Sequence, residues 1–515
     1  MKKIFQWAMA AALICGISFA AASCSSDDDN NEEILQPDDN GANSSGDEIG
    51  YIECSWDGTK VVKTPKAVKA KNLADYPASD GYNNGKFAKS LEEGVYYVSG
   101  KLEMRGAYLI DWGTKVDIIL CDGAEMSLGY ITVDGLGSRL RIFGQDKGTG
   151  KLTLIPGGVG NYAGIGTYTY GGCDLEFHGG NIVVQGPDAV KTGGPGIGCG
   201  TNQFVDGATS GFNSIIIYDG TINAKGGNDA AGIGNNQYSP DGCGDIYIYG
   251  GNVTAQGGEY AAGIGGGDNT KIGSINIYGG TVTAYSGVDG AGIGGGEDGD
   301  SGDINIYGGV VRAYGDRNAS GSHKGFGAGI GSGQDGSVNT IIIKGGDVAA
   351  YGGEDAAGIG TGEEFETDGI NSGTIEIHGG KVWAEGKGYG AGIGCGEDAT
   401  FGVLGISGGR VDAHAGSDCG PWSGGIGAYH SKHSSDTDGC HIGWAGWERI
   451  YIGACMRLWT YSPNVGHVEN VHYTANWWDF VHQRPQVAFG ECNHVDGAYD
   501  ITNCPYCHSY TLQLK

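Results

Sequence analysis

Apolar residues between about residues 94 and 462 recur in short alternating runs divided by glycines. One unit opens with Ile275-Asn-Ile277, continues with Val282-Thr-Ala284 and closes with Ala-Gly-Ile-Gly294. A spacing of two puts alternate side chains on one face of a strand, so the pattern predicts three short strands per unit. Amphipathic stretches of about 10 residues, which a helical solenoid needs, do not occur here.

The units repeat along the chain. The isoleucine of Gly-Ile-Gly recurs 29 to 37 residues apart, at Ile165, Ile197, Ile233, Ile264, Ile293, Ile330, Ile359, Ile393 and Ile426. Repeats of this length stack on one another and bury a shared core. The sequence therefore predicts an all-β parallel β-helix, three strands per coil, over residues 94–462. Small caps are expected at 51–93 and 463–515.

The start of the chain predicts export. Two lysines precede an apolar run, Ala8 to Ala22, which is too short for a membrane span and indicates a signal peptide over residues 1–23. Ala21-Ala-Ser-Cys24 resembles a bacterial lipobox, which implies an acylated Cys24. The serine and acidic residues behind it resemble the export signal of Bacteroidota surface lipoproteins. We expect a flexible tether over 24–50 and a lipid anchor in the outer membrane, with the protein facing outward from the cell surface.

Composition narrows the classes of partner. The chain has 515 residues, 104 of them glycine, and a formal net charge of −29. That charge repels phosphate backbones, so nucleic acid is not an expected partner. It also keeps a long rod soluble, and we expect a monomer.

Three segments carry a family resemblance. Val95–Gly100, Val116–Ala124 and Ile142–Leu152 lead into the Ala-Gly-Ile-Gly units, and together they resemble gut-bacterial surface proteins with a pectate-lyase-like, right-handed β-helix. The resemblance implies a right-handed fold and a carbohydrate-binding or adhesive role. Some related modules bind calcium through an Asp in Gly-Asp-Gly-Ile. Alanine holds that place here, so that calcium site does not carry over.

Aromatic residues hold fixed places in the repeat. One row comprises Tyr218, Tyr249, Tyr278 and Tyr307; another comprises Tyr285, Tyr314 and Tyr351, and Trp383 lies at an outward position nearby. Such rows can stack on sugar rings, or the rings can stack on one another between coils. Tyr285, Tyr314, Tyr351, Trp383, Tyr249, Tyr278 and Tyr307 are the candidates for glycan stacking.

Acidic residues also follow the repeat. Asp229, Asp289 and Asp355 lie four residues before the Gly-Ile-Gly isoleucine, and Asp268, Glu297, Glu363 and Glu397 lie four after it. Stacked like charges must be solvated or neutralised, and calcium is one neutraliser. The densest local cluster gives the calcium candidates Glu297, Asp298, Asp300 and Asp303. A catalytic pair of carboxylates is the other interpretation, and Asp298 with Asp300 or Glu354 with Asp355 are the candidates. A lyase would need a basic residue facing an acidic sugar, for which Arg312, Lys344 and Lys381 are the candidates.

The C-terminus carries a possible metal motif. Cys492 and His494 precede Cys504 and Cys507, a spacing that suits a tetrahedral structural zinc site. Disulfides are the alternative in an exported protein.

These observations favour a non-catalytic surface lipoprotein that binds glycan, of host or dietary origin, or adheres through its sheet faces. A polysaccharide lyase or glycoside hydrolase, with the glycan lying along the β-helix groove, is the alternative. A purely structural stalk is the third possibility.

Overall fold

A computed structural model provides the structure of the protein. It describes residues 46–78, 89–156, 160–168, 171–187, 193–200, 211–237, 239, 243–316, 325–364, 371–416, 425–429, 450–452, 456–462, 466–472 and 486–491.

The described chain winds through three long sheets, called here sheets A, B and C. In the coils, successive strands of each sheet pair in parallel. Sheet A comprises Asp47–Trp56, Val61–Asn72, Gly94–Val98, Lys115–Leu120, Arg139–Gly144, Cys173–Phe177, Phe212–Ile217, Asp245–Ile248, Ile275–Ile277, Ile304–Ile306, Thr340–Ile343, Asn371–Ile377, Thr400–Ile406 and Ile450–Ile452.

Sheet B comprises Lys101–Glu103, Glu125–Leu128, Lys151–Leu154, Asn181–Gln185, Thr221–Lys225, Asn252–Gln256, Thr281–Tyr285, Val310–Tyr314, Asp347–Tyr351, Lys381–Glu385 and Arg410–His414, then Gln486–Glu491, Met456–Ser462 and Gly466–His472 at its end.

Sheet C comprises Lys89–Ser90, Ala107–Ile110, Tyr130–Val133, Ile165–Thr167, Ile197–Cys199, Ile233–Asn235, Ile264–Gly265, Ile293–Gly294, Ile330–Gly331, Ile359–Gly360, Ile393–Glu397 and Ile426–Tyr429. A short pair, Asp300–Ser301 with Ser337–Val338, and one 3-10 turn, Leu73–Asp75, complete the described elements.

The predicted inward ladders form the core. Ile275 pairs with Ile304, Val282 with Val311, and Ile293 with Ile330. These side chains are fully buried, and each contributes about 1.5 to 3 kcal/mol relative to an exposed one. The parallel β-helix with three strands per coil is therefore confirmed.

The Gly-Ile-Gly segment forms a tight loop around a two-residue strand. The backbone N–H of Ala291 donates to the carbonyl of Gly295 at 2.9 Å, and the same bond recurs from Ala262 to Gly266. The second glycine takes a positive φ, 138° at Gly294, where an added Cβ would lie 1.8 Å from a carbonyl oxygen of the next coil. Only glycine fits there, and this explains the strictness of the motif.

Both ends of the rod differ from the sequence prediction. The segment expected to be tether begins a strand at Asp47, and Asp47–Trp56 forms an antiparallel hairpin with Val61–Asn72. At the other end, Ile450–Ile452 continues sheet A in parallel, as expected of a final coil. Met456–Ser462 does not continue the coil, because it pairs antiparallel with Gln486–Glu491. Such antiparallel strands cover the open edge of the stack.

Candidate functional site

Three surfaces of the described rod carry the residues singled out by sequence: a column of rings at one corner, the outward face of sheet B, and a column of acids beside sheet C.

The corner column follows the ends of the sheet A strands. It comprises Phe143, His178, Tyr218, Tyr249, Tyr278 and Tyr307. Neighbouring ring centroids lie 4.5 to 5.2 Å apart. Sequence reasoning found its four tyrosines and missed the first two members, because His and Phe break the tyrosine pattern. Stacked rings of this kind stabilise the rod itself.

The N-terminal hairpin lies across this corner column. Trp56 stacks on Tyr249 with centroids 5.0 Å apart and contacts Tyr278 at 5.4 Å. The backbone N–H of Cys54 donates to Nδ1 of His178 at 3.1 Å. Protein groups therefore already occupy part of the column, and a sugar would have to displace Trp56 to stack there.

At the far end of the column, the Lys344 ammonium lies over the ring of Tyr307, 5.0 Å from the ring centroid. This cation–π contact accounts for one of the candidate lyase bases without invoking catalysis.

Beside the hairpin lies a polar cleft of about 470 Å³. Lys63, Asp146, Lys147, His178 and Asp219 are among its lining residues, and Lys63 forms an ion pair with Asp219. Apart from His178, its described lining contains no aromatic ring. The cleft thus offers hydrogen bonds but little surface on which a sugar ring can stack.

On the outward face of sheet B, Tyr285, Tyr314 and Tyr351 form a second row, called here the tyrosine strip. Their centroids are 4.9 and 5.0 Å apart, with planes 12° and 6° from parallel. The faces between neighbouring rings are therefore occupied by the rings themselves. The three tyrosines of the strip are half-buried on this face.

Trp383 extends this surface on the next coil. It pairs in register with Ala349 on one side and Asp412 on the other. One ring face stacks on His414 at 4.0 Å, and the indole N–H donates to Glu385 at 3.1 Å. The ring is thereby held at a fixed angle while remaining partly exposed.

Charged side chains flank the strip. Arg312 forms an ion pair with Asp347 at 2.8 Å, and Lys381 approaches the same carboxylate at 3.4 Å. The arginine lowers the pKa of Asp347 through a hydrogen bond and its charge, against a burial effect that raises it. Both remaining lyase-base candidates are therefore engaged in ion pairs.

The acid column lies where the chain enters and leaves each Gly-Ile-Gly loop. Because the loop closes on itself, the residues four before and four after the isoleucine approach each other. Backbone hydrogen bonds join the position before one loop to the position after the loop of the next coil. Gln334 N–H donates to Asp289 O at 2.8 Å, and Glu397 N–H donates to Asp355 O at 2.7 Å. The described members are Asp229, Asp268, Asp289, Glu297, Asp355, Glu363 and Glu397.

Burial and mutual repulsion hold protons on this column. Burial, then neighbouring acids, raises the pKa of Asp268 to about 6 and those of Asp289 and Glu297 to about 7. The same causes raise the pKa of Glu363 to about 8. Carboxylates crowded in this way are suited either to holding a cation or to proton transfer.

The four sequence-predicted calcium ligands do not converge. Glu297 joins the acid column, and Asp298 occupies a left-handed turn with φ of 51°. Asp300 bonds Ser337 and Lys271, and Asp303 accepts from Asn339 at 2.6 Å. Among the described residues, no three of these four present oxygens within 4.8 Å of one another. Asp355, Glu363 and Glu397 do.

Other predicted sites lie outside the described residues: Cys24, and the zinc candidates Cys492, His494, Cys504 and Cys507. Within the described part, no helix has the length and apolar character needed to span a membrane.

Comparison with known proteins agrees with the fold. Six segments match the model of a beta helix repeat, at residues 215–236, 246–268, 275–297, 304–334, 341–363 and 375–397. No curated protein and no solved structure matches the chain. The repeat and the parallel sheets define a parallel β-helix protein, a scaffold that fits carbohydrate-binding or pectate-lyase-like proteins without indicating a specific function.

Proposed function

We propose that the protein is a non-catalytic glycan-binding β-helix, and that the glycan lies on the outward face of sheet B along the tyrosine strip and Trp383. The observation that supports this most is the exposed part of Trp383, a ring fixed by His414 and Glu385. Indole and sugar rings both present apolar faces, and a preorganised ring loses little entropy on binding.

The surroundings of Trp383 suit a polar, extended ligand. Tyrosine hydroxyls from successive coils recur about every 4.8 Å along the rod, the spacing of neighbouring strands. Arg312 and Lys381 supply donors at the side of the strip, while Asp347 holds both in place. A glycan lying parallel to the rod would meet tyrosine side chains on three successive coils and Trp383 on the next coil.

The placement of the candidate catalytic groups supports binding over catalysis. Asp300 is paired with Lys271, and the neighbour of Asp355, Glu354, is paired with Lys387 at 3.2 Å. Burial, then neighbouring acids, raises the pKa of Glu363 to about 8, but the residue is only 7% exposed. A general acid must reach the glycosidic oxygen within hydrogen-bond distance, and this side chain is poorly placed to do so.

A glycan array with the full chain tests the proposal, followed by affinity measurements on Trp383→Ala. We expect binding of at least one glycan and a loss of ten-fold or more in the variant. Tyr307→Ala, which removes a stacked ring at the corner, is the matched control and should keep the affinity. An array without binding, with and without calcium, would favour the structural stalk. Release of shortened products would favour the hydrolase or lyase.

Export and anchoring belong to the same proposal. We place the glycan-binding rod outside the cell, held by an acylated Cys24 behind a cleaved signal peptide. Labelling cells with a fatty-acid analogue should mark the wild type and not Cys24→Ser. An unlabelled wild-type protein would contradict the anchor and leave the glycan-binding proposal to its own test.

A further inference from the structure

Three carboxylates of the acid column meet at one point of the rod. Asp355, Glu363 and Glu397 each present an oxygen, and these oxygens all lie within 4.8 Å of one another. Asp355 precedes one Gly-Ile-Gly loop, Glu363 follows the same loop, and Glu397 follows the loop of the next coil. Two successive coils therefore build the cluster.

The backbone around the cluster fixes these positions. Glu397 N–H donates to Asp355 O, which ties the two coils together at 2.7 Å. Tyr389 N–H donates to Oδ1 of Asp355 at 2.8 Å, and this orients the carboxylate. Asp355 also adopts a left-handed backbone with φ of 59°, unlike its counterparts Asp229 and Asp289.

Glu363 provides an independent sign of a ligand. The residue is only 7% exposed, and its Oε2 is buried without a hydrogen-bond partner. A buried carboxylate oxygen without a partner costs free energy comparable to a lost hydrogen bond or more. The carboxylate that carries this atom lies within a group of like charges, as a ligand of a cation would.

Lys387, two residues before Tyr389 in the sequence, is paired with other acids. The Lys387 ammonium contacts Asp316 at 3.0 Å and Glu354 at 3.2 Å. The groups that raise the pKa of Glu363, besides burial, are the charges of Asp355, Glu397, Asp335 and Asp398.

We propose that Asp355, Glu363 and Glu397 form a site for a hard divalent cation, calcium in the first place. Calcium takes six to eight oxygen ligands in flexible geometry, and three carboxylates from two coils supply the charged part of such a set. The ion bridges the two coils and fastens the rod between them. This site is separate from the glycan face and does not depend on it.

The chain offers its own design for the test. Gln334 holds, one coil earlier, the repeat position of Glu363. The fold therefore accepts an amide at this position, and Glu363→Gln should fold. Glu297→Gln makes the same change at the same repeat position two coils earlier, outside the cluster, and is the matched control.

Calorimetric titration of the EDTA-stripped full chain with CaCl2 measures the site, with melting temperature as a second readout. We expect one site in the wild type, a rise in melting temperature on adding calcium, at least ten-fold weaker binding in Glu363→Gln, and unchanged affinity in Glu297→Gln. Asp355→Asn should also weaken binding and serves if Glu363→Gln does not fold. Absence of calcium binding to the wild type would overturn the proposal. The proposal would also be overturned if either cluster variant, Glu363→Gln or Asp355→Asn, bound calcium as tightly as the wild type does.

Discussion

Replacing Asp289 by Asn tests whether the acid column stores electrostatic repulsion. Asp289 is 8% exposed, and its Oδ1 has no hydrogen-bond partner. Burial, followed by the charges of Glu259 and Asp335, raises its pKa from 3.8 to about 7. The folded protein thus holds this proton more tightly than the unfolded chain does.

The sign of the pH dependence follows from this difference. The stability that the protonated group contributes is fully present below pH 3.8 and is lost as the pH rises to about 7. A difference of roughly three pKa units corresponds to about 4 kcal/mol at about 1.4 kcal/mol per unit. Because the charge of Asp289 also raises the pKa of Glu297, which takes up a proton in the same range, we expect about 2 kcal/mol from Asp289 alone.

Urea unfolding in EDTA at pH 5 and pH 8 measures the effect. We expect Asp289→Asn to raise the unfolding midpoint above that of the wild type at pH 8, and to do so less at pH 5. Asp300→Asn is the contrasting control. Lys271 and Ser337 lower the pKa of Asp300, so its loss should destabilise the protein equally at both pH values. If Asp289→Asn behaved in the same way as Asp300→Asn, the repulsion argument would be refuted.

Three further changes test other parts of the structure. Gly294→Ala places a Cβ 1.8 Å from a carbonyl oxygen and should destabilise the rod by more than about 2 kcal/mol. Gly50→Ala is the control, because its added Cβ would have its nearest contact at 3.8 Å, and it should not destabilise the rod. Urea unfolding midpoints measure both effects, and equal midpoints for the two variants would contradict the loop geometry. Trp56→Ala removes the ring that stacks on the corner column and should lower the stability of the hairpin by about 1 to 3 kcal/mol. Hydrogen exchange should then show faster exchange of the hairpin amides. Unchanged exchange would show that other contacts hold the hairpin. The thiols of Cys173 and Cys395 are fully buried, and burial raises their pKa values. They should therefore react with an alkylating reagent only when the protein unfolds. Labelling of the folded protein at these positions would contradict the core packing.

The core of the fold could be predicted from sequence because its signal is local. Alternation around Ile275 and Val282 specifies strands, and the recurrence of the motif specifies their stacking. The hairpin at Asp47–Asn72 could not be predicted as a cover for the corner column. Its pairing with His178 and Tyr249 spans more than 120 residues of sequence, and nothing local records it.

The candidate cation site shows the same limit. The density of acidic residues in the sequence predicted a calcium site at residues 297–303. Neighbouring side chains along a strand or turn point in different directions, however, and Asp300 and Asp303 bind other partners. The members of the structural cluster are 8 and 34 residues apart, from Asp355 to Glu363 and on to Glu397. The sequence displays their repeat positions; the closure of the Gly-Ile-Gly loop, which brings those positions together, is visible only in the structure.

The most direct test of glycan binding at Trp383 is an affinity measurement on the full chain with a glycan found on the array. The measurement compares the wild type with Trp383→Ala and Tyr307→Ala. We expect the wild type and Tyr307→Ala to bind alike, Trp383→Ala to bind at least ten-fold more weakly, and the glycan to be recovered intact. Equal binding by Trp383→Ala, or recovery of a cleaved glycan, would contradict this expectation.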